Sequence, residues 1–319
     1  MMSFRQLALG LCLFFSVGIL SAQQLSLFTQ YRENATILNP AAVESDFLAY
    51  GQPITLGANY RSQWNGISGN PRTQTLRFSF IGDGSGASLL TGGYIMNDQT
   101  GPTGFTGIYG RIGAVISGDP EYSGLAVAIS GGLVQYRVNA NEINLRDPND
   151  VLGMNNQTEM FPDVGAGVYF YQMLSGAMDG DMFYAGVSVP QVAGIDLTFK
   201  NEDGEFAVQR VQHFYGMVGL YHFFRNDGFI EPSLWVKYVD GAPINADLNL
   251  RYQTPAALWI GTGASSSGNF HFEAGFNLGD NVGFYNNLKI GYGYDYSFSS
   301  FGPSVGSTHE LQVSYSFDR

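Results

Sequence analysis

From residue 50 onward the chain alternates between apolar and polar side chains, the period of a strand with two unlike faces. Ile54, Leu56, Ala58, Tyr60 and Trp64 share one phase, and Thr55, Asn59, Arg61 and Gln63 the other. Leu76, Phe78 and Phe80 oppose Thr75, Arg77 and Ser79. The longest clean run sets Ile244, Ala246, Leu248, Leu250 and Tyr252 against Asn245, Asp247, Asn249, Arg251 and Gln253. Near the end, Leu288, Ile290, Tyr292, Tyr294 and Tyr296 face away from Lys289 and Asp295, and Leu311, Val313, Tyr315 and Phe317 away from Glu310, Gln312, Ser314 and Ser316. A soluble sandwich buries such apolar faces between two sheets, whereas a membrane barrel turns them to lipid and lines its lumen with the polar faces.

The connections choose between these. About fourteen strands are counted, and the links between them alternate short and long, as in barrels with periplasmic turns on one rim and external loops on the other. The short set is Gly82–Gly86, Gly118–Ser123, Ser175–Asp181, Arg225–Gly228, Thr254–Ala256 and Gly279–Gly283. The other set is Asn65–Arg72, Asn97–Gly104, Asn139–Phe161, Pro190–Arg210 and Ser297–Ser307, with compact members at Asp240–Pro243 and Ser265–Asn269. The expected fold is therefore all-β: a transmembrane antiparallel β-barrel over residues 50–319, with long external loops, short periplasmic turns and both barrel ends in the periplasm. Tyr169/Tyr171 and Phe223/Phe224 suit interfacial aromatic girdles.

Two segments precede the barrel. Arg5 followed by an apolar run from Leu7 to Leu20 and then Ser21-Ala22 reads as a secretory signal over residues 1–22, too short to stay as a spanning helix. Residues 23–49 lack alternation, and Leu27, Tyr31 and Leu38 form one side of a short irregular helix. This segment is expected to be a periplasmic cap or partial plug, with a flexible lead as the alternative.

Composition narrows the class further. Charged residues are 13% of the chain, aromatics 14%, and glycine contributes 42 residues, an unusual balance for a soluble domain. The single cysteine, Cys12, lies within the signal, which leaves the processed chain without a thiol or disulfide. Its neighbour Leu11 and the apolar residues after it exclude a lipoprotein anchor there. A net charge of −12 speaks against nucleic-acid binding.

No catalytic or metal constellation stands out, and no cofactor is expected. His213, His222, His271 and His309 are scattered without metal-ligand spacing. Ser314 or Ser316 meeting a histidine would be needed for an outer-membrane esterase, but no Gly-x-Ser-x-Gly elbow is present. The glycine cluster at 82–86 leads into a strand and is a turn, not a phosphate cradle. Asp147-Pro148-Asn149-Asp150 and Asn201-Glu202-Asp203-Gly204 lack the spacing of a calcium loop. Arg61, Arg77, Lys237, Asp247, Arg251, Lys289, Asp295 and Glu310 all fall on polar faces, and opposite charges so mixed are expected to form a paired interior network more often than a selective pore.

The chain resembles the PorP/SprF family of type IX secretion system membrane proteins. The resemblance rests on Leu38-Asn39-Pro40-Ala41; Tyr60-Arg61-x-Gln63-Trp64-x-Gly66-Ile67 followed by Pro71-x-Thr73; Asn97-Asp98-x-x-Gly101-Pro102; Gly186-x-Ser188 with Pro190; Lys237-Tyr238-Val239 with Gly241-Ala242-Pro243; and Gly291-Tyr292-x-Tyr294-Asp295-Tyr296 with His309-Glu310. These pieces come in the family's order and cover nearly all of the processed chain. Ala42-Val43 departs from the family's aromatic-then-alanine pattern there. The resemblance implies an outer-membrane barrel serving type IX secretion or gliding. Some members look like dedicated partners that let one large secreted adhesin reach or stay on the cell surface, and other type IX secretion subunits are further candidate partners.

Much of this signature falls on loops assigned to the outside: Trp64, Asn65, Gly66, Ile67, Pro71, Asn97, Asp98, Pro102, Asp147, Asp150, Pro190 and Asp240. The leading expectation is a rigid external platform for the C-terminal sorting domain of a secreted protein. Turn chemistry alone explains many of these residues, but Trp64 and Ile67 are poor turn formers. The competing reading is a channel for small or hydrophobic molecules.

Overall fold

The structure, a computed structural model, describes residues 28–140, 156–175, 180–192, 196–201, 204–209, 211–298 and 302–318. The signal expected over residues 1–22, together with Asp147 and Asp150, lies outside the described residues. The strands are β1 (Ile54–Ser62), β2 (Arg72–Ile81), β3 (Gly86–Thr100), β4 (Thr103–Ser117), β5 (Ser123–Val138), β6 (Gln157–Met173), β7 (Met182–Val189), β8 (Asp196–Asn201), β9 (Gly204–Gln209), β10 (His213–Phe223), β11 (Phe229–Val239), β12 (Asn245–Gln253), β13 (Leu258–Ser265), β14 (Asn269–Leu278), β15 (Asn287–Ser297) and β16 (Thr308–Phe317). Fourteen of them close into one antiparallel barrel, while β8 and β9 form a separate hairpin between β7 and β10. Closure is made by β1 on β16, in register from Ile54 opposite Phe317 to Ser62 opposite His309.

Alternation decides which face each residue takes. Leu76, Ile108, Leu248 and Phe272 are among the exposed apolar side chains that girdle the outside, and Thr55, Arg77, Gln253 and Gln312 are buried within. No helix among the described residues is long and apolar enough to cross a membrane. The crossing is made by strands, in which every backbone group of a closed ladder has a partner.

Residues 28–50 occupy the lumen, with short helices α1 (Ala35–Leu38) and α2 (Ser45–Tyr50). Their placement follows from contacts on all sides of the wall. The amides of Thr29 and Gln30 donate to Glu310 on β16 at 2.6 and 3.1 Å. Arg111 on β4 donates to the carbonyls of Pro40 and Ala42 at 2.8 and 2.6 Å, and Asn39 donates to that of Val168 on β6 at 3.1 Å. Apolar contacts add to these. Tyr31 stacks on Trp235 with centroids 5.6 Å apart, and Phe47 meets Tyr171 edge-on at 6.0 Å.

Three expectations are corrected. Asn97–Gly104 is not a long loop: β3 runs through Thr100 and turns into β4 over Gly101-Pro102 alone, where Gly101 takes φ +54°. Asn97 and Asp98 are therefore strand residues that accept from Thr106 at 2.9 Å and Thr73 at 2.6 Å. Likewise β6 begins at Gln157, well before Phe161. The third correction concerns Tyr169 and Tyr171, which are buried inside the barrel and not in a girdle, because they share the inward phase of Asp163.

Candidate functional site

Two regions gather the residues singled out from sequence, a charged lumen and the long-loop rim. In the lumen, the Arg61 guanidinium lies 2.7 Å from Asp295 and 3.1 Å from Glu310. Lys237 lies 2.8 Å from Asp247 and over the face of Tyr31. Arg251 and Lys289 both reach Glu33, at 3.0 and 3.2 Å, and Arg77 reaches Glu44 at 3.4 Å. Lys289 also binds Asp46, whose other oxygen accepts from Ser316 at 2.6 Å. Burial opposes ionisation of Glu33, yet Lys289, Arg251, Arg32 and Arg77 together hold its carboxyl well below the usual carboxylate range.

Sequence reasoning missed the acids that complete this network. Glu33, Glu44 and Asp46 sit on the irregular lumenal segment, where no periodicity assigns a face, and Arg32 of that segment pairs with Glu231 on β11. A signal was present all the same. The eight lumenal charges read from sequence comprise five cations (Arg61, Arg77, Lys237, Arg251, Lys289) and three anions (Asp247, Asp295, Glu310). Buried cations need partners, and the lumenal segment supplies them.

The rim is ordered by backbone. Trp64 takes φ +53°, unusual for a bulky residue. Beyond it, the amides of Asn65 and Gly66 donate to the carbonyls of Ser307 at 3.0 Å and Val305 at 2.8 Å. Asn70 donates to Ser62 at 2.9 Å and to the Gln63 carbonyl at 2.8 Å. The Gly101 amide donates to the Gly69 carbonyl at 2.9 Å. The β1–β2 loop is thereby tied to the β15–β16 loop on one side and to the β3–β4 turn on the other. Asn65, Gly66 and Ile67 are exposed on top, Trp64 is half-buried and Pro71 buried. Pro102 is half-buried in its turn, Pro190 is buried after β7, and Asp240 is exposed between β11 and β12. These last two stand apart from the Trp64 loop.

Beneath this rim, against the lumenal segment, lies a cavity of about 150 Å³ lined among others by Tyr31, Arg61, His213, Lys237, Asp247 and His271. The histidines do not converge. His222 bonds Asp181 at 2.7 Å, His271 bonds Asn249, and His309 bonds Ser307 at 2.9 Å. Among the described residues no group of histidines and carboxylates has metal-site geometry.

Residues 20–315 match the family described as type IX secretion system membrane protein PorP/SprF. The chain belongs to the PorP/SprF family. No curated protein matches it. Among solved structures it is similar to the CymD monoaromatic hydrocarbon channel, at TM-score 0.51 and 13% identity over 92% of this chain and 94% of that one. It is also similar to a TodX deltaS2S3 mutant monoaromatic hydrocarbon channel, at TM-score 0.50 and 12% identity over 90% and 94%. At such identities the likeness speaks for the fold alone. The PorP/SprF match and the closed barrel together make this an outer-membrane protein, and by the usual rule for such barrels the rim with the long loops is the external one.

Proposed function

We propose that this PorP/SprF protein works by holding and not by catalysis: its external rim binds the C-terminal sorting domain of a large secreted protein and supports that protein's export or retention at the surface. The observation that carries the reading is the cross-tied rim. Ile67 is 40% exposed on a loop whose backbone is bonded to two neighbouring loops. A preordered surface loses little conformational freedom on binding, which favours recognition. The occupied lumen agrees with a scaffold, since the segment within it is pinned by buried ion pairs.

The test replaces Trp64 and Ile67 together by alanine and follows the secreted partner on intact cells. Partner lost from the surface, with the variant barrel still assembled in the outer membrane, is the expected outcome. Unchanged retention would overturn the reading. A channel for small or hydrophobic molecules is the second reading, favoured by the cavity under the rim. Solute uptake by purified protein in liposomes separates the two.

A further inference from the structure

The wall of the barrel is uneven. Strands β3 to β6 have 15, 15, 16 and 17 residues, whereas β7 has 8. The ladder between β6 and β7 runs from Met173 opposite Met182 to Ala166 opposite Val189 and then stops, while β6 continues to pair with β5 as far as Gln157 opposite Val138. The outer third of β6 thus has a ladder partner on the β5 side only; β8 comes close to β6 at its other side without joining the ladder.

Backbone direction along β6 follows residue parity. The Leu174 amide donates to Asp181 and the Val164 carbonyl accepts from Val192, both on the β7 side, whereas the Met173 amide donates to Tyr122 on the β5 side. Even-numbered residues therefore aim their amides and carbonyls at the β7 side. The Val164 amide is taken by the Asp163 carboxylate at 3.0 Å. Above it, the amides and carbonyls of Thr158 and Met160 and the carbonyl of Pro162 have no partner among the described residues. Pro162 fits this assignment, because an open edge is one of the few places in a strand where proline's missing N–H leaves no ladder acceptor unpaired. The hairpin of β8 and β9 follows nearby yet forms its own sheet.

The edge opens where water begins. A tilted strand crosses the hydrocarbon in about 9–11 residues, which counted from Met173 ends near Pro162. Inside the bilayer an unpaired edge would be prohibitive; outside, it is a template for another strand. Apolar side chains flank it, with Met160 64% and Leu133 60% exposed.

We infer that the open edge of β6 from Thr158 to Pro162 accepts an extended strand of the exported protein's C-terminal domain, which joins the barrel wall by backbone hydrogen bonds. This rests on the platform reading and names the bonding mode of that partner. Strand addition supplies affinity from the main chain and leaves specificity to the alternate side chains. The unpaired groups, the strand's emergence into water and the apolar flank fit an extended peptide. A helix offers no free backbone donors along its length.

The test uses full-length protein in cells that make the secreted partner. Thr158→Pro with Met160→Pro removes both edge amides without touching the β5 ladder, and the alanine pair at the same positions controls for side chains. The proline pair is expected to lower partner retention and co-purification at least tenfold and the alanine pair less than threefold, with both barrels assembled. As a measure independent of variants, the Thr158 and Met160 amides of the unaltered protein should exchange more slowly with partner bound. Retention unaffected by the prolines, or edge amides unprotected in the complex, overturns strand addition. If Trp64→Ala with Ile67→Ala still abolishes retention, the platform stands without it. A photo-crosslinker at residue 158 that reacts only with the chain's own residues 196–209 also overturns the inference, since the hairpin then fills the edge.

Discussion

Replacing Glu33 by glutamine removes one negative charge from the middle of the lumenal network while keeping the size of the side chain. Glu33 is 2% exposed and lies within 3.0 Å of Arg251 and 3.2 Å of Lys289. Removing one partner of a buried ion pair costs about 3–5 kcal/mol, because a buried charge is left uncompensated. Lys289 keeps Asp46, which argues for the lower end of that range. About 3 kcal/mol shifts the balance between docked and undocked segment roughly 150-fold. The assay is limited proteolysis of residues 28–50 in the purified barrel, paired with single-channel recording in a planar bilayer. Faster cleavage and more frequent openings are expected, with the barrel itself still folded. If both match the unaltered protein, the ion pairs do not hold the segment and the reasoning fails.

Further predictions follow the same contacts. The folded Glu33 carboxyl is held below its ordinary value, so its contribution to docking is full above the free glutamate range near pH ~4.3 and is lost only as pH falls through the lower folded value. Trp235 fluorescence, reporting its stack on Tyr31, should stay constant from pH 7 to about 5; a transition in that interval would count against the assignment. Arg111→Met deletes the donors to the Pro40 and Ala42 carbonyls, a loss of about 1.5–3 kcal/mol per charge-assisted bond, and should expose the Asn39-Pro40 turn to protease. Gly66→Val places a Cβ 2.8 Å from the Val305 carbonyl oxygen, so it should break the tie between the two loops and reduce partner retention as much as the Trp64/Ile67 double variant does. Equal retention with a loosened loop would show that rim order is dispensable.

The lipid-facing phase was legible because a strand has only two faces, and one wrong register would turn every apolar residue of a run such as Ile244–Tyr252 into the lumen. The parity of the connections was legible only in part: the short links of one rim carry glycine except at Thr254–Ala256, but the other rim also holds the two-residue turn Gly101-Pro102. What escaped notice lies where those constraints lapse. Above the bilayer the outer face need not be apolar, so Asn97 and Asp98 look like loop residues although they continue β3. Tyr169 and Tyr171 were misplaced by composition, when their phase with Asp163 already pointed them inward. The acids at 33, 44 and 46 lie on a segment without a repeat, and only the surplus of lumenal cations hinted at them. The rim ties between the Trp64 loop and residues 305–307 join distant parts of the chain through backbone atoms, which side-chain identity does not report.

The filled bore has a consequence for the cell envelope. A wide empty cylinder would admit bile salts and bulky antibiotics in proportion to its abundance. On the platform reading, a barrel with its axis occupied from within can be displayed in many copies while the permeability barrier of the membrane around it stays intact.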